Sequence, residues 1–469
     1  MPCTEHTFAR GPAGPLVLDA GPHLFIDDYL IEVAEGLTRT THQPLKAADP
    51  ILGVAGAGAH REVLFHLSVL CDTQRRQFPF RMWYVAGYER AGNRWSYGYA
   101  ESDDGLQWHL PELGLVDIDG SKANNVVRPA AYCIFLVDRG PEFQDLTRRY
   151  VLLYTGGASF SATYSPDGLH WSDDSNNPLY QDDEGRMEDK LAGCWDPLRQ
   201  CYLLTTGYSG RPEDGFRGKP PFHRDGHRRL VGQMTSKDLV DWTPFRPIVV
   251  ADPEQPGFCE FYGMKPTVRG TLYLGFLRVL RDDLPATVDG PVHGIGWTEL
   301  CTSRDGEHWT RQPGVFLDRG HAPQSWDRAM AWVGDHIAVG DREFIYYGGY
   351  SRGHKVGRRQ LGVATLRRDG FVSRDAGPEG GTLRTPLCRW DSAQITVNAE
   401  VEGALRVRLL TESGLPISGF FFAECQALRG DSLAHTVRWK GDLRALKGRL
   451  VHLEFALRDA RLYGFSLFG

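Results

Sequence analysis

Residues 303–309 read SRDGEHW, and three other stretches of the 469-residue chain repeat the pattern: SDDGLQW at 102–108, SPDGLHW at 165–171 and SKDLVDW at 236–242. The repeated serines stand at 102, 165, 236 and 303, so successive copies are 63, 71 and 67 residues apart. Ahead of each copy runs a strand-like stretch rich in Tyr, Leu and Gly: MWYVAGY (82–88), YVLLYTGG (150–157), CYLLTTGY (201–208) and LYLGFLRV (272–279). A fifth such stretch, FIYYGGY (344–350), leads through LGVATL to RRDGF (367–371). There the motif has lost its tryptophan, but Asp369 still falls 64 residues after Asp305. Repetition of a four-stranded unit at this period predicts a β-propeller, here of five blades. The motif itself reads as a blade turn. Asp accepts hydrogen bonds from amides of its own turn, Gly supplies a positive φ, and Trp fills the gap between neighbouring blades.

The texture changes after about residue 385. ITVNAEVEG, LRVRLLTESG, HTVRWKG and RLVHLEFALRDARLYGFSLFG alternate with period two, which predicts a jelly-roll-like β-sandwich over 386–469. Residues 1–54, which include LFIDDYLIEV (24–33), are expected to add a strand to the propeller or to the sandwich. That leaves 55–385 for the propeller and makes the whole chain all-β.

Composition excludes several functions. A net charge of -6 and a pI near 6.2 give no basic footprint for nucleic acid. Nine cysteines, an odd number without any C-x-x-C pair, signal neither a disulfide framework nor a zinc site. The start shows no basic-then-apolar leader and no run is long enough to cross a bilayer, so the expectation is a cytoplasmic protein whose saccharide substrates are small enough to be imported. Oligomeric state is unconstrained. Packing between sheets accounts for most of the 11% aromatic residues; the remainder could serve as stacking platforms for sugar rings.

In a propeller the starts of the inner strands converge on one funnel. Counting back from the repeated strands places His60-Arg61-Glu62, Asn124-Asn125, Glu188-Asp189-Lys190, Glu260-Phe261-Tyr262 and Trp326-Asp327-Arg328 there. Acids recur in four of the five units, and carboxylates crowded on one axis suit an acid–base pair. Cys259 and Tyr262 would give Glu260 a partly apolar pocket. Asn125 could hold sugar hydroxyls or form a turn. Asp196, in CWDPLRQ, reads as a hairpin turn. The run RGHKVGRR (352–359) reads as a solvated loop whose charge could meet an anion, and His66, His293 and His336 as structural histidines. No cluster has metal-ligand spacing, so the expected chemistry needs no metal or cofactor.

From about 55 to 385 the chain resembles the five-bladed glycoside hydrolases of families 43 and 32, whose blades share an S-x-D-L-x-x-W turn; a following sandwich is also similar to family 32. The turn is looser kin to the Asp box of sialidases, which has one more residue between Asp and Gly. The resemblance implies three acids, from blades one, three and four. Asp189 matches the blade-three aspartate that steadies the site, and Glu260 the blade-four general acid. Glu62 occupies the blade-one register, while Asp27 and Asp28 are the aspartates near the start; the family's opening Asp-Pro is absent. The implied function is paired-carboxylate hydrolysis of a glycoside or small oligosaccharide, furanoside or pyranoside, with a structural calcium as an ion the axis could hold. Glu188, Asn125, Tyr262, Asp327, Arg61 and Asp28 are the candidate sugar-binding residues. Two other functions fit. One is phosphorolysis, as in mannoside phosphorylases, with His60, Arg61, Lys190 and Arg328 as phosphate binders. The other is sugar binding without catalysis.

Overall fold

The serines of the repeat are the last residues of four strands, Trp95–Ser102, Ser159–Ser165, Arg228–Ser236 and Ile295–Ser303. The computed structural model describes residues 14–53, 62–87, 95–118, 120–129, 132–214, 227–249, 259–354 and 356–469. In every copy the Ser hydroxyl accepts from the amide three residues on at 2.8–2.9 Å, and the Asp carboxylate accepts from the two amides that follow. The Gly carbonyl then docks on the neighbouring blade. Gly168 accepts from the Trp83 indole at 2.7 Å, Gly105 from the Tyr346 hydroxyl at 3.0 Å, and Gly306 from the Gln233 amide at 2.8 Å. A Cβ on Gly168 would stand 2.6 Å from Trp83, so both its φ of +83° and its close approach require glycine. The motif tryptophans are half-buried at these joints, Trp108 edge-on to Tyr346 and Trp242 edge-on to Phe160.

The propeller strands fall into four sheets, two of four strands, one of five and one of eight that holds the last two blades. Blade one is Glu62–Cys71, Phe80–Gly87, Trp95–Ser102 and Val126–Pro129. Blade two is Phe135–Asp138, Tyr150–Thr155, Ser159–Ser165 and Ser172–Asp173, and blade three is Ala192–Asp196, Cys201–Gly210, Arg228–Ser236 and Arg246–Val249. Blade four is Cys259–Arg269, Leu272–Arg281, Ile295–Ser303 and Thr310–Leu317. Blade five takes Met330–Val339, Arg342–Tyr350 and Arg359–Arg367, then borrows Leu45–Lys46 as its outer strand. Hydrogen bonds link neighbouring blades, from Leu136 to Ser68, Cys133 to Asp189, Thr205 to Met264, Thr298 to Ala331 and Val69 to Asp335.

The chain divides into two compact units, Gln43–Val268 with Tyr273–Leu366, and Met1–His42 with Arg269–Leu272 and Arg367–Gly469. In the second unit two long strands, Gln394–Thr411 and Leu450–Phe468, pair along their length over a core that includes Phe25, Trp390, Phe455 and Phe465. Its C-terminal portion begins at 367 rather than 386, because Val372–Ala376 and Gly381–Arg384 both pair with Leu450–Phe468. Asp369 of the decayed motif ion-pairs with Arg269 at 2.6 Å instead of clipping a blade. The N-terminal segment is likewise divided: Gly21–Leu24 pairs with Leu450–Phe468, whereas Leu45–Lys46 belongs to the propeller. Residues 25–32 form turns rather than a strand, since Asp27 accepts from the Tyr29 amide at 3.2 Å and bends the chain.

Candidate active site

Glu260 is the second residue of its inner strand and only 3% exposed. One of its oxygens accepts from both the backbone amide and the Nη1 of Arg229, each at 3.2 Å. The same Nη1 lies 3.0 Å from Asp282 Oδ2. Two carboxylates therefore stand on one guanidinium nitrogen. The other Asp282 oxygen faces His354 Nδ1 at 3.3 Å. Burial resists the charge of Asp282, but hydrogen bonds and charge from His354 and Arg229 prevail and hold its pKa below the ordinary range. Burial works against the Arg229 cation too, yet Glu260, Glu188 and Asp282 keep its pKa raised.

Tyr262, two residues along the same strand, joins this group to the acids of blade three. Its ring stacks on Trp332 at 4.5 Å and meets the edge of His354 at 4.8 Å, and Lys190 Nζ sits 4.5 Å from its centroid. Lys190 pairs with Glu188 and lies 3.4 Å from Asp189 Oδ1; burial opposes its charge, but these two acids raise its pKa. Burial, reinforced by Asp189, lifts the Tyr262 phenol well above its usual value, so it acts as a neutral wall. The acids differ in access. The Asp189 side chain is 41% exposed and that of Glu188 23%, against 5% for Glu260. Glu62 is as open as Asp189 and pairs with Arg359 at 3.4 Å. Arg359 lies over the half-buried Trp95, whose ring is 6.0 Å from that of Tyr132.

Register counting thus brings Glu188, Asp189, Glu260 and Tyr262 into one neighbourhood, with Glu62 at the start of blade one's inner strand. Other positions fall elsewhere. Asn125 precedes the outer strand of blade one, since blade two's inner strand begins at Phe135; its amide is spent on the Tyr84 hydroxyl at 2.7 Å and the Tyr99 carbonyl at 2.6 Å. Asp327 turns away to Lys46 at 2.5 Å and to the Tyr347 hydroxyl, and Arg328 donates to the Pro323 carbonyl. Asp28 belongs to the second unit, where it pairs with Arg374 at 2.7 Å. His60, Arg61 and the Cys259 side chain lie outside the described residues. Asp196 caps its hairpin by accepting from the Leu198 and Arg199 amides. Three residues were missed. Arg229 and Asp282 sit at ends of second and third strands, off the inner-strand register, and His354 hides in the run that reads as a solvated loop. Among the described residues no three His, Cys, Asp or Glu side chains cluster as metal ligands.

No protein-family model matches the chain, and no curated protein matches it. Its structure is similar to several solved structures at low identity. One described as a glycoside hydrolase shares 16% identity over 69% of this chain and 91% of its own, with a TM-score of 0.44. An N-acetylgalactosamine deacetylase from F. plautii, solved with blood group B trisaccharide, shares 13% over 72% and 97%, with a TM-score of 0.43. A fructofuranosidase from Schwanniomyces occidentalis, complexed with fructosylnystose, shares 8% over 90% and 100%, with a TM-score of 0.43.

Proposed function

We propose that the chain hydrolyses the glycosidic bond of a small saccharide with carboxylates gathered at the inner-strand starts of the propeller. The observation that carries this reading is the sharing of Arg229 Nη1 by Glu260 and Asp282, beside the more open Asp189. Glycoside cleavage needs a protonated carboxyl for the leaving oxygen and an ionised one for the opposite face of the sugar. Glu260 takes the first role. Arg229 orients it, and because Asp282 claims part of the same guanidinium, the cation is not wholly committed to the Glu260 carboxylate. Asp189, held by Lys190 and open to solvent, takes the second role, with Glu62 as the further acid of the ring. Trp95 and Tyr132 offer aromatic faces for a sugar ring.

The test is a screen of chromogenic furanosides and pyranosides, followed by Glu260→Gln on the best substrate. The variant should lose about 10² to 10⁴ in kcat where the leaving group needs a proton and far less on activated aryl glycosides. Equal losses on both would sink the assignment, and sugar binding without any turnover would leave a binding protein. Phosphorolysis is the second reading, favoured by three cations, Lys190, Arg229 and Arg359, among the same acids. It requires turnover to depend on inorganic phosphate.

A further inference from the structure

Within the run RGHKVGRR (352–359), Gly353 and Val356 bridge each other, and the Ser351 amide donates to the Arg358 carbonyl at 3.3 Å. This stretch of blade five docks on the blade-four loop that follows Leu272–Arg281, where the His354 amide donates to the His293 carbonyl at 2.6 Å. Glycines let the two loops touch. A Cβ on Gly353 would stand 2.2 Å from that of His293, and one on Gly294, at φ +81°, would stand 2.9 Å from Asp282 Oδ1. The contact delivers the His354 ring to Asp282.

An imidazole, a carboxylate, a guanidinium and a second carboxylate then stand in line. His354 Nδ1 lies 3.3 Å from one Asp282 oxygen, the other Asp282 oxygen lies 3.0 Å from Arg229 Nη1, and that nitrogen lies 3.2 Å from Glu260. These side chains are 10%, 12%, 22% and 5% exposed in that order, so solvent screens the contacts little. Around the His354 ring stand the aromatic walls of Tyr262 at 4.8 Å and Trp332 at 5.8 Å. Lys190, on the same Tyr262 ring, is held by Glu188 and Asp189, and Asp283 turns to Arg281 at 2.7 Å. Arg352, Arg358 and His293 are exposed. Burial resists the ionisation of Asp282; the hydrogen bond and charge of His354 lead the influences that overcome it, ahead of Arg229.

We propose that His354 is a positioning residue for hydrolysis: by holding Asp282 it limits how much of the Arg229 guanidinium turns to Glu260, and so leaves Glu260 able to carry a proton to the leaving oxygen. The inference rests on the reading of Glu260 as the general acid. A guanidinium given wholly to one carboxylate keeps that carboxylate ionised, which suits an ion pair and defeats an acid. Asp282 prevents this only while it is both aimed at Arg229 and charged. His354 serves both conditions, since its bond fixes the direction of the carboxylate and its charge keeps Asp282 ionised further into acid. Without His354, Asp282 takes up its proton at higher pH and releases Arg229 to Glu260.

The experiment compares two variants of the whole chain on the best glycoside from the screen. His354→Phe keeps a ring against Tyr262 and Trp332 but cannot bond Asp282, whereas His354→Asn returns an amide donor near the place of Nδ1. His354→Phe should lose about tenfold in kcat at unchanged KM, a decade less than a misplacement at the reacting atoms themselves. The loss should fall on leaving groups that need a proton and spare activated aryl glycosides, and the acid limb of the kcat profile should move to higher pH. His354→Asn should recover most of the rate near neutrality. Equal losses on all leaving groups, an unmoved acid limb, or no recovery in His354→Asn would overturn the inference while leaving the hydrolase reading intact. If the wild type turns over no glycoside, that reading fails by itself, and carboxyl-carbon NMR decides the inference. The Asp282 signal, identified by its loss in Asp282→Asn, should titrate at higher pH in His354→Phe than in wild type, and an unchanged titration overturns it. Should His354→Phe not fold, His354→Asn, which lacks the charge, gives the same comparison.

Discussion

For single residues, function turns on which partner each carboxylate keeps. Asp282 does not repeat in register, yet it restrains both Arg229 and His354. Asp282→Asn should keep the shape and remove the charge that divides Arg229. As a positioning residue it should cost about 10²-fold in kcat, the scale of a small misplacement at the reacting atoms. Stability supplies an independent readout. Because the folded pKa of Asp282 lies below its unfolded value of about 3.9, its contribution is complete above that value and is lost as pH falls through the folded one. Urea unfolding should therefore show wild type ahead of Asp282→Asn near neutrality, with the gap closing in acid; a gap independent of pH would contradict the pairing. The residues legible beforehand are those whose place follows from strand counting, Glu188, Asp189, Glu260 and Tyr262. Counting gives a distance along the chain but not which of four strands begins there, nor the direction of a side chain. Asn125 was lost to the first ambiguity and Asp327 to the second.

For the element, the blade turn is legible because its bonds are local. Ser, Asp and the amides that follow fall within six residues, so the pattern is written directly in the sequence, and even SKDLVDW makes the same turn with Leu239 at φ +70°. Gly168→Ala should destabilise by more than about 1 kcal/mol, since the new methyl meets both an unfavourable φ and the Trp83 ring. Gly157→Ala, with a φ of +90° but nothing within 4 Å, should cost less, and chemical denaturation of the pair separates the two effects. Trp171 is half-buried, its indole donating to Gly168 at 3.1 Å. Trp171→Ala should thus cost about 2 kcal/mol, below the roughly 3–5 kcal/mol of a fully enclosed tryptophan. Asp167 tests the carboxylate. Partial burial opposes its charge, but the amides of His170 and Leu169, the His170 ring and Ser165 lower its pKa to about 2. Half-exposed as it is, Asp167→Ala should cost about 1 kcal/mol at neutral pH, and that difference should fade between about pH 4 and pH 2.

For the whole molecule, the ring is closed by the feature hardest to read. Leu45–Lys46 has two residues and no alternation, and its partner Ala364–Thr365 lies more than three hundred positions away. The exit from the propeller was equally opaque, because a decayed motif at Asp369 keeps its spacing after losing its role. What fixes the closure is a pairing across blade five, Lys46 with the nearly buried Asp327, strengthened by the Asp318 carbonyl and the Tyr347 hydroxyl. Removing one member of a buried pair strands the other, which costs about 3–5 kcal/mol, whereas removing both charges returns much of that loss. Lys46→Met should therefore destabilise the chain strongly, and Lys46→Met with Asp327→Asn should be more stable than Lys46→Met alone. Had Asp327 served a sugar in the funnel, the two substitutions would instead act independently, with Asp327→Asn weakening saccharide binding and leaving stability unchanged. A double-mutant cycle read by denaturant unfolding, with saccharide affinity measured on the same four proteins, separates a strut that closes the ring from a residue of the site.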